Sequence, residues 1–350
     1  MNSSDIARLA GVSRSTVSRV INNYGDISEQ TRQKVMAVIK ENNYVPNAFG
    51  QGLAGKSTHI IGLFIIDRDN TSEDNLIISR SEVFATFVSY TTDIAHNLGY
   101  NILLSIIDSR HLGDIQRLFM NKSICAGLVI GDTFDQEILD SLAQMDCKIA
   151  LHNQREHSDI PNIINVNVDN QHFGYLAAEQ LLKHGHYKIG FVTGNFHKFT
   201  VQQRYLGFTK ALSEKGVTHD QKLIGVGDFH RADGGYAATK QILERSAPDY
   251  PTALVISNSV MIPGVLQALK EIKLRIPEDI SVVSIGGSAS SSSSNPPITD
   301  LYIDNQRIAS VMISKVTQLL DIGELNQYNF LLKEYDFVQR GSVRNIITTA

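Results

Sequence analysis

The 350-residue chain has only two cysteines, Cys125 and Cys147. Two thiols cannot form a disulfide framework, and such sparing use fits a reducing compartment. Long apolar runs are also missing. The longest, Ile60 to Ile66, falls far short of the roughly 20 residues needed by a membrane-spanning helix. The opening Met-Asn-Ser-Ser-Asp lacks the basic and then apolar pattern of a secretory leader. These absences predict a soluble cytoplasmic protein without a membrane partner. A chain this long buries about three quarters of its unfolded surface, so it needs no disulfide or metal staple. Its length predicts roughly two domains at about 150 residues each. Positive charge is scarce as well: 32 Lys and Arg face 36 Asp and Glu, a net −4. Taken as an average, that balance argues against a nucleic-acid partner.

Motifs of catalysis are equally scarce. There is no P-loop, no Gly-x-Ser-x-Gly elbow and no His-Glu-x-x-His, so an enzyme, a cofactor and a catalytic metal are not expected. The serine run 290–294 is expected to be a flexible loop, with no base placed to activate it. His184 and His186 lack further ligand spacing. They are expected at an exposed helix C-terminus, where a partly charged histidine is favourable.

The charge is unevenly spread. Residues 1–58 hold seven basic and four acidic side chains, a balance of +3, which leaves −7 for residues 59–350. This asymmetry flags a small basic module on an acidic body. Three short helices are expected in the basic part. Ile6, Leu9 and Ala10 form an i, i+3, i+4 stripe that ends at Gly11. Ser13 can cap a second helix with the apolar stripe Val17, Val20 and Ile21. Ser28 can cap a third, with Glu29 in its first turn and Thr31, Val35, Val38 and Ile39 facing inward. The Gly-Val-Ser link makes the first two a helix-turn-helix. Pro46 then disfavours helix in the residue before it. The stretch 48–58, with Gly50, Gly52 and Gly55, reads as a linker.

From residue 59 the pattern changes to alternating strands and helices. Strand candidates are 60–66, 101–107, 126–131, 148–152, 188–193, 252–256, 280–285 and 298–303. Amphipathic helical stretches include 173–183, 205–214, 237–245 and 264–272. Such alternation argues for parallel sheets covered on both faces, as one large sheet or two smaller ones. The serine-rich 288–295 is the low-complexity segment, and no solenoid repeat is present.

The second helix carries the chemistry. Opposite its apolar stripe lie Arg14, Ser15, Ser18, Arg19 and Asn22, a face of hydrogen-bonding groups without an acid. A helix fits the major groove, where arginine can bond guanine bidentately and asparagine adenine; serine and threonine bond bases or phosphate. The turn, the absence of acids and the local positive balance favour a nucleic-acid reader over a merely solvated face.

The run Asp5-Ile6-Ala7-Arg8-Leu9-Ala10-Gly11-Val12-Ser13-Arg14-Ser15-Thr16-Val17-Ser18-Arg19-Val20-Ile21-Asn22 resembles the headpiece of lactose-repressor family transcription regulators. Thr31-Arg32 and Asn43-Tyr44-Val45-Pro46-Asn47 continue the likeness. It runs on at lower density through Val168-Asp169-Asn170, Gly185-His186, Ile189-Gly190-Phe191, Arg204, Gly207-Phe208, Ile276-Pro277-Glu278-Asp279-Ile280 and Pro296-Pro297-Ile298-Thr299. The resemblance implies a helix-turn-helix DNA-binding headpiece at 1–45, a hinge at 46–58 and a two-lobed α/β effector and dimerisation domain at 59–350. That domain would be like the periplasmic binding proteins, with the chain crossing between lobes near 160, near 287 and close to the C-terminus. Arg14, Ser15 and Arg19 would be the main base readers. Ser13, Thr16, Ser18, Asn22, Ser28, Thr31, Tyr44 and Asn47 would position the headpiece or contact phosphate. Leu53 would wedge into the central base step, where unstacking costs a few kcal/mol and the bend is repaid by added contacts. The two glycines Gly50 and Gly52 each cost about 1 kcal/mol of helix stability, so the hinge is expected to order only on DNA.

In the body the resemblance places Asn153, Thr200, Arg204, Phe229 and Asn258 in an effector cleft. Clefts at the carboxyl ends of parallel strands collect ligands on general grounds too. Two departures stand out. Gly286-Gly287-Ser288 replaces the family's usual aspartates, and Asn258-Ser259 replaces its usual Asn-Asp. Carboxylates accept two hydrogen bonds from adjacent sugar hydroxyls, so these losses weaken a neutral-sugar reading and suit an anionic effector. The expected protein is thus a homodimeric repressor of carbohydrate-use genes on a palindromic operator, released by a sugar or sugar derivative. Alternatives are a non-sugar or phosphorylated effector, or a solute-binding sensor with the same lobes.

Overall fold

The computed structural model describes residues 1–21, 24–44, 58–66, 81–107, 113–131, 136–154 and 160–347. It divides into two units, Met1–Thr58 and His59–Ala350. Among its described residues the first unit contains three helices: α1 (Ser3–Ala10), α2 (Arg14–Ile21) and α3 (Glu29–Glu41). Asn2 and Asp5 form a reciprocal capping box at the start of α1, and Gly11 ends it at φ +62°. The Thr16 amide donates to Ser13 Oγ at 3.1 Å, and the Thr31 amide to Ser28 Oγ at 3.3 Å. Each bond satisfies a backbone donor that the first helical turn leaves unpaired.

Ile6, Ala7, Ala10, Val17, Val20 and Val35 form the core of this unit. Leu9, expected inside, is 51% exposed. Ala7 flanks the Ile6–Ala10 stripe in its place, and its small side chain lets α2 and α3 approach α1 closely.

The second unit has two six-stranded sheets. The first contains β1 (Ile60–Ile66), β2 (Asn101–Ile107), β3 (Ala126–Gly131), β4 (Ile149–His152), β5 (Ile163–Val168) and β11 (Asn329–Leu332). All are parallel, in the order β11-β5-β4-β3-β1-β2. The second contains β6 (Ile189–Thr193), β7 (Ile224–Val226), β8 (Ala253–Ile256), β9 (Ser281–Gly286), β10 (Thr299–Tyr302) and β12 (Asp336–Val338). Its order is β12-β10-β9-β8-β6-β7, with only β12 antiparallel. Its described residues also form the helices α4 (Glu82–Asn97), α5 (Gly113–Met120), α6 (Gln136–Gln144), α7 (Asn170–Lys183), α8 (Phe199–Glu214), α9 (Ala232–Ser246), α10 (Ile262–Glu271), α11 (Ala289–Ser293) and α12 (Asn305–Ile322). The central strands β1, β3, β4, β5, β6, β8 and β9 are buried almost throughout. Parallel strands covered on both faces read as near-continuous apolar runs.

The chain passes between lobes after β5 near residue 169, after β10 near 303, and between β11 and β12 near 334. The first two crossings fall later than near 160 and 287. In each case one more strand pairs first: β5 beside β4, and β10 beside β9. The serine run also differs from expectation, because it forms helix α11 rather than a loop. The Ser292 and Ser293 hydroxyls donate back to the Ala289 carbonyl at 3.0 and 2.9 Å. At its start the Ala289 amide donates to the Glu82 carboxylate at 2.8 Å. His186 differs too: it is fully buried rather than exposed. Its Nδ1 lies 3.1 Å from Thr252 Oγ1 and its Nε2 lies 3.0 Å from the Arg344 carbonyl, so it ties the C-terminal segment to the second sheet.

Candidate functional site

On the first unit, α2 presents the residues chosen from sequence. Ser13, Arg14, Ser15 and Arg19 are exposed, while Thr16 and Ser18 are half-buried. Ser13 Oγ lies 2.7 Å from Ser15 Oγ and 2.8 Å from Thr16 Oγ1, a cluster of hydroxyls at the helix start. Arg14 Nε donates to Ser3 Oγ at 3.1 Å, which steadies its stem beside α1. Arg19 forms an ion pair with Asp26 and lies 5.7 Å from the Tyr24 ring centroid. The face of α2 itself is free of acids, but the following turn brings one to it. Ser28 caps α3 and donates to Thr31 Oγ1 at 2.9 Å, and Tyr44 packs half-buried on the headpiece core. Asn22, Asn47 and Leu53, and all of the proposed hinge but Thr58, lie outside the described residues.

In the second unit Asn153, Thr200, Arg204, Phe229 and Asn258 all line one cavity of about 80 Å³ between the lobes. That volume holds several ordered waters or a small ligand. Helices α7 and α8 set the position of Arg204. A Cβ on Gly174 would lie 1.8 Å from the Arg204 carbonyl oxygen, and one on Gly207 would lie 1.8 Å from that of Gln171. Only glycine at both places permits such backbone approach. Arg204 is 5% exposed. Its Nε donates to Asn170 Oδ1 at 2.9 Å, one Nη donates to the Ser257 carbonyl, and its guanidinium lies 5.9 Å from the Phe229 ring centroid. Burial pulls its pKa down to about 9, opposed by the negative charge of Asp300.

Asn170 also donates to Asn153 Oδ1 at 3.3 Å. It thus connects the end of β4 in the first lobe to Arg204 in the second. Asn258 is occupied structurally. Its Nδ2 donates to the Phe229 carbonyl at 2.7 Å and its Oδ1 accepts from the Val260 amide at 3.3 Å. It therefore holds the loop that carries Phe229. Thr200 sits buried in the first turn of α8.

Sequence reasoning missed several groups in this cavity. His152, at the end of β4, places Nδ1 2.7 Å from the Val166 carbonyl. A carbonyl only accepts, so Nδ1 carries the proton and Nε2 is left as an acceptor. Burial pushes the His152 pKa down to about 4, with Arg204 adding to the shift and the Val166 bond opposing it. Lys198, His230 and Asn305 line the cavity as well. The signal for His152 was its place at a strand end; for Asn170 it was the Val168-Asp169-Asn170 motif. Lys198 and Asn305 lie at helix starts that sequence alone did not locate.

The two missing carboxylates have a structural counterpart. Gly286 has φ +142°, and a Cβ there would stand 2.6 Å from Ser259 Oγ. That hydroxyl is held in place by the Ser288 amide at 3.1 Å. A carboxylate is present one strand away: Asp300 accepts from Ser284 Oγ at 2.6 Å and from the Gly287 amide at 2.9 Å. It is 1% exposed, and burial raises its pKa against the pull of these bonds. Among the described residues lining the cavity there is no Asp or Glu. Among the described residues no group of three His, Cys, Asp or Glu could hold a metal, and no helix is long and apolar enough to cross a membrane.

Comparison with known proteins agrees with this geometry. Residues 4–47 match the model for bacterial regulatory proteins of the lacI family, and residues 178–343 match a periplasmic binding protein-like domain. The HTH-type transcriptional repressor PurR of Vibrio vulnificus is 32% identical over 319 residues, 87% of each chain. The PurR repressor of Photobacterium profundum is 29% identical over 315 residues, 88% of this chain and 89% of the other. A lac repressor dimer bound to operator and the anti-inducer ONPF superposes with TM-score 0.81 at 25% identity, over 97% of this chain and 98% of that one. The transcriptional regulator CelR in complex with cellobiose shares the fold, with TM-score 0.72 at 24% identity over 96% and 98%. With a helix-turn-helix unit, a two-lobed α/β unit and repressor relatives along most of its length, the chain belongs to the lactose-repressor family of DNA-binding transcriptional repressors.

Proposed function

We propose that the chain is a cytoplasmic, homodimeric repressor of carbohydrate-use genes whose affinity for a pseudo-palindromic operator is set by a small effector in the interlobe cleft. The observation that carries this reading is convergence. Residues from four separated segments, Asn153, Thr200 with Arg204, Phe229 and Asn258, line a single cavity at the ends of parallel strands. Cavities at such places are default ligand sites. The fold likeness to a cellobiose-bound regulator supports a sugar or sugar derivative as the ligand.

Arg14, Ser15 and Arg19 read base edges in this account. Ser13, Thr16, Ser18, Asn22, Ser28, Thr31, Tyr44 and Asn47 fix the helix on phosphates, and Leu53 of the hinge at 46–58 wedges the central step. Effector binding changes how the lobes meet across the dimer, and so alters whether two hinges pair on DNA. Two-fold symmetry sets the half-sites about one helical turn apart. Phe229→Ala provides the test, with operator binding followed by gel shift while sugars and sugar derivatives are titrated. The parent's operator affinity should respond to one ligand, and the variant should bind DNA but lose that response. An identical response in the variant would contradict the cleft as the effector site.

A further inference from the structure

Arg14, exposed at the start of α2, is tied to a residue of a different helix. Asn2 and Asp5 lock the start of α1. Asn2 Oδ1 accepts from the Ser4 and Asp5 amides at 2.9 and 3.1 Å, and Asp5 Oδ2 accepts from the Asn2 amide at 2.9 Å. Ser3 lies between them, half-buried, at the first helical position. Its Oγ accepts from Arg14 Nε at 3.1 Å across a separation of 11 residues in sequence. The hydroxyls nearest Arg14 along the chain are engaged with one another, Ser13 with Ser15 at 2.7 Å and with Thr16 at 2.8 Å. The acceptor for Nε therefore comes from α1, at a place that the capping box fixes.

From this geometry we infer that Ser3 is a positioning residue for base readout: it holds the Arg14 guanidinium so that the two Nη groups, and not the Nε edge, meet a guanine. This deepens the proposed role of Arg14 as a base reader and rests on it. A guanidinium offers five N–H donors in a rigid planar fork. With Nε donated to Ser3, the parallel pair left for DNA is Nη1 and Nη2. Guanine presents two adjacent acceptors in the major groove, O6 and N7. Adenine sets a donor beside its acceptor, thymine a methyl group, and cytosine offers a donor. Two parallel donors therefore match guanine. Ser3 is neutral, so it orients the cation without cancelling its charge. Arg19 differs, because its partner is the Asp26 carboxylate. Holding the side chain before DNA arrives also removes part of the rotamer entropy that binding would otherwise cost.

The test uses the full chain and the duplex that it enriches from a random pool, with single-base variants of that duplex competed in fluorescence anisotropy. Arg14→Ala identifies the base pair that Arg14 reads, as the position where preference is lost. That position should hold guanine in the parent's duplex. Ser3→Ala should lower the preference for guanine there by about 2- to 10-fold, the effect of having to order one freed arginine, with the loss confined to that position. Ser3→Thr keeps the hydroxyl and should restore the parent's preference. In the Arg14→Ala background Ser3→Ala should add nothing, since Ser3 acts only through Arg14. A Ser3→Ala variant with the parent's preference, or one equally affected with and without Arg14, would overturn the positioning role and leave Arg14 as a base reader. So would a weakening spread evenly over all duplexes with a shallower salt dependence, the mark of a phosphate contact. A base other than guanine at the Arg14 position would overturn the assignment of the edge. Enrichment of no duplex, or an Arg14→Ala variant with unchanged preference everywhere, would overturn the base-reader role and the positioning role with it.

Discussion

Substitution of Gly286 by alanine tests why the cleft lacks its expected carboxylate, since alanine carries the same Cβ as aspartate. At φ +142° a residue other than glycine is strained, at a cost of about 1–3 kcal/mol. The new Cβ also stands 2.6 Å from Ser259 Oγ. That oxygen accepts the Ser288 amide at 3.1 Å, so it cannot turn aside without leaving a buried donor unpaired. Such overpacking costs a further 1–3 kcal/mol or about that. Gly286→Ala should therefore destabilise by about 2–6 kcal/mol. Ser259→Gly removes the obstructing hydroxyl. In that background Gly286→Ala should cost only the strain, about 1–3 kcal/mol. The difference, a coupling of about 1–3 kcal/mol, is read from a double-mutant cycle. Urea unfolding followed by far-ultraviolet circular dichroism suits the chain, which has no tryptophan. A neutral or stabilising Gly286→Ala, or strictly additive costs, would refute this account of the missing acid.

Three further outcomes are expected. Asp26→Asn frees Arg19 from its exposed ion pair, which is worth at most about 1 kcal/mol; operator affinity should rise by up to about fivefold, most visibly at low salt in a gel shift. Arg14→Ala should cost about 1–3 kcal/mol of operator binding and relax preference at one base position, read by competition with single-base operator variants. The third concerns acid stability. His152 has its pKa lowered to about 4 in the folded protein, against about 6.5 unfolded. Below pH 6.5 the unfolded chain takes up the proton first, so stability falls as pH drops from about 6.5 to 4, by up to about 3 kcal/mol at the lower end. His152→Gln, which can still donate to the Val166 carbonyl, should lessen this loss in urea titrations from pH 4 to 7, the remainder coming from His219 and His186, whose pKa values burial also lowers.

Much of the fold was legible because the signals were local. Gly11, Ser13 and Ser28 mark helix ends through bonds that each residue makes within three positions. The strands β1, β2 and β3 are mostly apolar runs and were located to the residue. By contrast β5 reads Ile-Ile-Asn-Val-Asn-Val, and its two asparagines hid it. Asn165 and Asn167 are nonetheless buried, and Asn167 donates to the Gln154 carbonyl at 2.7 Å from a neighbouring loop. β7 has three residues including Gly225, and β11 and β12 are short and half exposed. Their pairing depends on distant partners, as does the burial of His186 against Thr252 and Arg344. In the cleft, Arg204 and Phe229 came from motif positions, whereas the Asn153–Asn170–Arg204 chain of bonds exists only once α7, α8 and β4 meet. The Arg19–Asp26 pair was invisible for a similar reason. The acid lies in the turn after α2, beyond the reach of a helical-face argument.

The central claim, a two-fold symmetric reader of specific DNA, is tested most directly by selecting binding sites from a random duplex pool with the full chain and sequencing the survivors. The account predicts one enriched pseudo-palindrome with half-sites about one helical turn apart, lost when Arg14 and Arg19 are both replaced by alanine. Enrichment of no sequence, or of an asymmetric site retained by that double variant, would contradict it.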